Sequence, residues 1–222
     1  MQAKRQTEND LIISYKLLRK LIGSIGVFLP IILGVGLFFY DKENFIQDSI
    51  SDYYGTQLRD VFVGFLFVLG FFLFSYKGFK NPEKGWLHND NIFANLGGAF
   101  ALLVALFPTT SKNETIRIIH LTSAVLLFAV FTYFCLVIFR RTNDNKEIKP
   151  TAMKKTRNKF YMWCGILIIF FVAIAGLSFV DAIMTEEKRR ATDIIFWCET
   201  FALWVFGFSW LIKGEVALQD KN

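Results

Sequence analysis

Six apolar blocks, each of roughly 20 residues, divide this 222-residue chain. A hydrocarbon core about 30 Å thick requires about 20 apolar residues for each helical crossing. Since backbone polar groups find no water inside lipid, a block that crosses must be helical. The sequence therefore predicts an all-α fold, a single integral membrane domain built as a bundle of six transmembrane helices. The blocks are residues 17–40, 60–79, 92–108, 115–139, 159–180 and 191–212.

The basic residues predict how this bundle is oriented in the membrane. With the N-terminus placed in the cytoplasm, 18 Lys and Arg residues fall on the cytoplasmic side and 7 in the outer loops. The positive-inside rule favours this orientation, with both termini cytoplasmic. Residues 1–16 and 214–222 are then cytoplasmic tails, and residues 140–158 form a basic cytoplasmic loop beside anionic headgroups. The net charge of +6 reflects this topology, so nucleic acid is not an expected partner.

The first block also bears on localisation. It is too long for the apolar region of a cleaved signal peptide, and no small-residue cleavage site follows it. We therefore expect an uncleaved first span and a protein integral to the plasma membrane, of the bacterial inner-membrane type.

Ionisable residues inside the blocks predict a polar pocket. Such side chains are costly in lipid and usually face the bundle interior or a cavity. Asp60 opens the second block, while His120 and Glu199 lie near the outer ends of the fourth and sixth. At a rise of 1.5 Å per residue the three side chains fall at a similar depth. The loop "SISDYYGTQLRD" approaches from the same side, so we expect one outward-facing pocket.

These residue types suit acid–base and nucleophilic chemistry. His120 is the expected general base or metal ligand, and Ser51 or water the expected nucleophile. Glu199 or Asp60 would orient the histidine, and Asp52 would hold the polar network. The candidate catalytic residues are Ser51, Asp52, Asp60, His120 and Glu199, and the candidate ligand-binding residues are Ser49, Tyr54, Arg59 and Ser123.

Each candidate also has a structural interpretation. Asp52 and Asp60 can cap the second helix, because Asp is favoured at helix N-termini. Arg59 can pair with a neighbouring acid or a lipid phosphate, and His120 can be a packing histidine with satisfied hydrogen bonds. Glu199 lies more than a turn inside its block, between aromatic residues, and requires a partner or a proton.

Several short motifs occur in a familiar order. Ile-Ser-Asp at 50–52 is followed by "VFVGF" at 61–65, Asn-Leu-Gly at 95–97, "HLTSAVLLF" from His120, and Glu199 ahead of "FGFSWL". From about residue 45 to 213 this order resembles the six-span DRAM-like family, the damage-regulated autophagy modulators. Relatives of that family include GPI-anchor lipid-remodelling proteins and bacterial membrane proteins of similar length. The resemblance implies a six-span fold, and we carry no autophagy or GPI role over to this chain.

The same family is sometimes grouped with alkaline ceramidases, which resemble metal enzymes with several histidines. This chain has only His88 and His120, and His88 lies in a predicted cytoplasmic loop. A three-histidine zinc site within one chain is therefore excluded, and no cofactor is expected. The alternative is a zinc ion held by His120 together with Asp52, Asp60 or Glu199.

Three functions follow from this pattern. The first is binding or processing of a membrane lipid, the expected partner, as a lipid-directed hydrolase or acyl-transfer enzyme. The second is a non-enzymatic scaffold or lipid-binding regulatory protein, in which the polar cluster joins helices or binds a headgroup. The third is a channel or transporter, supported by the polar face of Glu199, Ser209 and Lys213. The apolar inner half of the bundle and the lack of an inverted repeat argue against this third function.

Overall fold

The structure, a computed structural model, describes residues 2–78, 89–141, 151–180, 183–215 and 217–218, and it is all-α over these ranges. His88 and residues 142–150 of the predicted 140–158 loop lie outside the described residues. The helices are α1 (Gln2–Phe38), a 3₁₀ helix (Ile50–Gly55), α2 (Arg59–Ser75), α3 (Asp90–Leu106), α4 (Glu114–Tyr133) with a π-helical continuation (Phe134–Ile138), α5 (Ala152–Leu177), α6 (Glu186–Ala191) and α7 (Ile194–Lys213).

Four of the described helical segments are long and apolar enough to cross a membrane. They are Tyr15–Phe38 within α1, Glu114–Ile138, Ala152–Leu177 and Ile194–Lys213. Helices α2 and α3 occupy the second and third predicted blocks and have 17 residues each. By helix length and composition the chain is a multi-span, integral membrane protein.

Two helices begin earlier than the apolar blocks predict. Helix α1 starts at Gln2, within the predicted tail, and α5 starts at Ala152, within the predicted basic loop. Thr151 caps α5, because its hydroxyl oxygen accepts a hydrogen bond from the Lys154 N–H at 3.1 Å. Lys and Arg are good helix formers, so a helix continues into water past the point where hydropathy falls. Apolar blocks therefore mark where lipid begins rather than where the helix begins.

The helices close into a ring. Each of α1 to α4 packs on the next helix in the chain, α5 packs on α7, and α7 returns to α1. Lys16 and Glu215 form a salt bridge of 2.7 Å, so the start of the α1 span and the end of α7 lie together. The two ends of the described chain therefore emerge on the same side of the bundle.

Aromatic side chains fill the interior of this ring. Phe131 of α4 stacks on Phe206 of α7 with ring centroids 3.6 Å apart. Trp210, with no exposed surface, packs edge-on against Tyr76 at 4.9 Å and against Phe134 at 5.1 Å. These rings join α2, α4 and α7 further along the helices than His120 and Glu199. The aromatic core and the polar residues His120 and Glu199 therefore lie at different levels along the bundle.

The contact between α1 and α7 depends on two glycines. A Cβ atom added to Gly23 would lie 2.7 Å from the Gly207 carbonyl oxygen, and one added to Gly207 would lie 2.7 Å from that of Gly23. Small residues let helix backbones approach closely in membranes, where packing rather than water drives association. The ring can close only because both positions lack a side chain.

We expect Gly23→Ala to lower the melting temperature of the protein in detergent. The added methyl group meets backbone atoms that cannot rotate away, and such overpacking costs about 1–3 kcal/mol. The matched control is Gly64→Ala, where an added Cβ meets no atom within 4 Å. Equal melting temperatures for the two variants would contradict the close α1–α7 contact.

Candidate functional site

The polar loop ahead of α2 folds around a serine–aspartate pair. The Ser49 hydroxyl donates to the Asp52 carboxylate at 2.8 Å, and its oxygen accepts the Asp52 N–H at 3.2 Å. This local bonding starts the 3₁₀ helix, because it satisfies an N–H that has no helical partner. Tyr53 anchors the turn by donating to the Phe45 carbonyl at 2.6 Å. Burial raises the pKa of Tyr53 to about 12, so this donor keeps its proton at neutral pH.

Two hydrogen bonds fasten this loop to α7. The Ile50 N–H donates to the Glu199 carboxylate at 2.7 Å, and the Phe196 N–H donates to the Asp48 carbonyl at 3.1 Å. Helix α7 has no side-chain N-cap, so the Asp48 carbonyl satisfies one of its unpaired N–H groups. The hydrogen bond of Glu199 in the described structure thus runs to the loop backbone. The prediction that Glu199 orients His120 directly gains no support from this contact.

His120 of α4 faces the loop and is 1% exposed. Its Nδ1 lies 2.6 Å from the Phe107 carbonyl oxygen, and its Nε2 lies 2.9 Å from the Ser51 hydroxyl. A carbonyl can only accept, so Nδ1 carries the proton of the neutral ring. Nε2 is then the acceptor for the Ser51 O–H. The backbone thereby selects the tautomer in which the histidine is a base directed at the serine.

A third segment, the loop between α3 and α4, completes the polar network. The Thr109 hydroxyl lies 3.2 Å from the Asp52 carboxylate and 3.4 Å from the Ser51 carbonyl oxygen. Asp52 therefore accepts hydrogen bonds from two hydroxyl groups, those of Ser49 and Thr109. Asp52 thereby joins the loop ahead of α2 to the loop between α3 and α4, and its predicted role in the site stays a prediction.

These groups line one wall of a cavity of about 810 Å³. That volume suits a small molecule or part of a lipid. The cavity is polar where the loops meet and apolar where it runs between α4 and α5, so it is amphiphilic along its length. Its polar lining comprises Asp48, Ser49, Ser51, Asp52, Thr109, Thr110, Ser111, Arg117, His120, Glu186, Arg189, Arg190 and Glu199, and its remaining lining includes Leu121, Val125, Phe128, Phe171, Val172, Ala175, Gly176, Phe179 and Cys198.

Five of the nine residues predicted for the pocket meet at this cavity, namely Ser49, Ser51, Asp52, His120 and Glu199. Ser123 is buried about one turn along α4 from His120, outside the cavity lining. The geometry brings the five together, while the catalytic and binding roles of all nine stay predictions.

Asp60, Arg59 and Tyr54 lie away from the cavity. Buried Leu58 and Phe62 are the inward positions at the start of α2, so the residues between them point outward. Arg59 accordingly donates to the Tyr54 hydroxyl at 3.1 Å and lies 4.6 Å from the centre of that ring. Asp60 is in the first turn of α2, where a carboxylate stabilises the helix dipole.

The arginines of the cavity lining are not among the site residues that the sequence predicts. Arg117 opens α4, and Arg189 and Arg190 belong to the short helix α6. A signal for them was present in the sequence. These are cations in predicted outer loops, in a chain whose other cations are mostly predicted to be cytoplasmic. Three of the 7 predicted outer cations line the cavity.

The described residues contain no group of three His, Cys, Asp or Glu side chains placed to hold a metal ion. Both ring nitrogens of His120 are already hydrogen-bonded, to Phe107 and to Ser51. A zinc ion on His120 would have to displace one of these bonds. The zinc alternative therefore gains no support from the geometry around His120.

No protein-family model, curated protein or solved structure matches this chain. The resemblance to the DRAM-like family stays a prediction.

We expect Glu199→Ala to speed hydrogen exchange of the loop around Ile50. The Ile50 N–H loses its acceptor, and an unmade buried hydrogen bond costs about 1–3 kcal/mol. Exchange of peptides covering residues 48–53 should rise at least about tenfold, as measured by mass spectrometry in detergent. Glu187→Ala, which removes an exposed carboxylate of α6, is the matched control. If both variants exchange like the wild type, Glu199 does not hold the loop.

Proposed function

We propose that this protein is a membrane-embedded enzyme that hydrolyses or transfers acyl esters of lipids, with Ser51 as the nucleophile and His120 as the general base. The observation that carries the proposal is the ordered series from the Phe107 carbonyl through His120 to the Ser51 hydroxyl. A hydroxyl bonded to a correctly protonated histidine is the arrangement that activates serine. It lies at the wall of an amphiphilic cavity, where an ester of a lipid can reach it.

The proposed acyl transfer uses Ser51 and His120 in two steps. Ser51 Oγ bonds to the acyl carbonyl carbon while its proton passes to His120 Nε2. The ester C–O bond then breaks, and the departing alcohol oxygen takes that proton, leaving an acyl-serine. Water or an acceptor alcohol adds to the acyl-serine and gives its proton to His120. Release of the acid or new ester returns the proton to Ser51. The Phe107 carbonyl stabilises the positive ring that forms between these steps.

The apolar part of the cavity supports a lipid substrate. Leu121 and Val125 of α4 are 50% and 58% exposed, and Phe179 just beyond α5 is 56% exposed. They line the cavity and also reach the outer surface of the bundle. In a membrane that surface is in contact with lipid. An acyl chain can therefore enter sideways from the bilayer without crossing water.

The same proposal includes a membrane arrangement. We propose that α2 and α3 also cross the membrane, giving six spans with both termini in the cytoplasm of a bacterial-type plasma membrane. Seventeen residues span about 25 Å, near the lower limit for a crossing helix. The joined ends of α1 and α7 and the distribution of basic residues support an even number of crossings. The cavity then opens in the outer half of the membrane.

One observation favours a second function, lipid binding without turnover. Glu199, Asp52 and His120 all make hydrogen bonds that hold outer loops in place. A regulatory or scaffold protein would need the same bonds to keep its pocket open. Native mass spectrometry of the purified protein addresses this function, because a specifically retained lipid without turnover would support it.

The enzyme proposal is tested with a fluorophosphonate, which phosphonylates activated serines. We expect the wild type to gain one phosphonyl group on Ser51, located by peptide mass spectrometry. Ser51→Ala should gain none, and His120→Ala should react at least about a hundredfold more slowly, because the general base is lost. Ser209→Ala is the matched control, since it removes another buried serine outside the cavity lining.

Folding and reactivity are separated with His120→Gln, whose amide can bond to Ser51 but cannot take its proton. This variant should keep the wild-type elution profile and melting temperature while losing the label. An unlabelled wild type, or equal labelling of Ser51→Ala, would overturn the acyl-transfer proposal.

A further inference from the structure

We infer that the substrate is a phospholipid, whose phosphate is bound by Arg117 and Arg189 while an acyl chain lies between α4 and α5. This inference rests on the proposed function and deepens it by naming the substrate class. It is carried by the charges at the polar end of the cavity and by the shape of its apolar end.

The three arginines at the cavity differ in their partners. Arg190 lies 2.8 Å from Glu186 and 3.6 Å from Asp48, so it is paired with two carboxylates. Arg117 and Arg189 form no salt bridge with any residue that the structure describes. Two positive charges at the cavity are therefore left for an anionic ligand.

Arg189 is held in place for such a ligand. One of its terminal nitrogens donates to the Ser178 carbonyl at 3.2 Å, and its guanidinium carbon lies 4.6 Å from the centre of the Phe179 ring. These contacts fix the side chain at the end of α5. Since a guanidinium has five N–H donors, the others remain for a phosphate oxygen. Arginine binds phosphate in a two-pronged geometry that lysine cannot reproduce.

None of the carboxylates of the cavity forms a salt bridge with Arg117 or Arg189 in the described part of the chain. Glu199 accepts the Ile50 N–H, and Asp52 accepts two hydroxyl groups. The remaining two, Asp48 and Glu186, pair with Arg190. Arg117 and Arg189 are therefore the two lining cations that have no carboxylate partner among the described residues.

The apolar end of the cavity has the form of an open groove. Val125 of α4 is 58% exposed, and Phe171 of α5 lines the groove from the opposite side. Gly176 lies on α5 between Phe171 and the Ser178 carbonyl that Arg189 contacts, and a Cβ atom added there would meet nothing within 4 Å. A ligand that fills this cavity has an anionic group at one end and a hydrocarbon chain at the other. Ser51 lies on the polar wall, where the ester linkages of a phospholipid fall between phosphate and chain.

The test compares lipids that differ only in the phosphate. Detergent-purified, delipidated protein is mixed with phosphatidylglycerol, phosphatidylethanolamine or diacylglycerol of identical chains, and retained lipid is counted by native mass spectrometry. We expect the wild type to retain both phospholipids at least about tenfold better than diacylglycerol, since charge-assisted hydrogen bonds to phosphate are lost in the latter. The double variant Arg117→Gln/Arg189→Gln should lose this preference.

Lys112→Gln is the matched control. It removes a cation from the loop just before α4, outside the cavity lining. It should keep the phospholipid preference. Equal retention of diacylglycerol by the wild type, or an unchanged preference in the double variant, would overturn the inference.

Fluorophosphonate labelling distinguishes this inference from the proposed function. A double variant that is labelled on Ser51 but no longer prefers phospholipid would support both the reactive serine and a separate phosphate site. A wild type whose preference for phospholipid depends on the two arginines, but whose Ser51 is not labelled, would contradict the acyl-transfer proposal. The same result would support the phosphate site.

Discussion

The site depends on two hydrogen bonds that join the loop ahead of α2 to α7, from Ile50 to Glu199 and from Phe196 to Asp48. Irregular backbone at the edge of a membrane is stable only where the protein itself satisfies its polar groups. The 3₁₀ helix meets this requirement by docking on α7. Its docked position sets where Ser51 lies relative to His120, and it forms one wall of the cavity.

The pairing of Ser51 with His120 adds a second constraint, because it draws on three separate segments. The serine belongs to the loop before α2, the histidine to α4, and the carbonyl that selects its tautomer to Phe107 after α3. Thr109 ties the last segment back to Asp52. A site held on several sides is preorganised, since no part can shift without breaking bonds made by another.

Sequence reasoning located the elements well because burial in lipid has a simple length requirement. It also predicted that Ser51, His120 and Glu199 lie close together, because the depth of a residue in the membrane follows from its position along a helix. It could not decide that Asp60 points outward, because that depends on Leu58 and Phe62 being the buried positions of α2. Nor could it place Arg189, since the packing of the short helix α6 against the end of α5 is a tertiary contact with no periodic pattern.

The position of Glu199 in α7 has a consequence for the biosynthesis of the protein. Ser51 and His120 are made early, but the carboxylate that holds their loop comes about 150 residues after Ile50. The close backbone contact that lets α7 reach α1 is formed equally late. Under the proposed function, Ser51 therefore gains its alignment only after α7 has been made. A chain interrupted before residue 194 would carry Ser51 and His120 without the two bonds to α7 that hold the loop, so it would not turn over lipid.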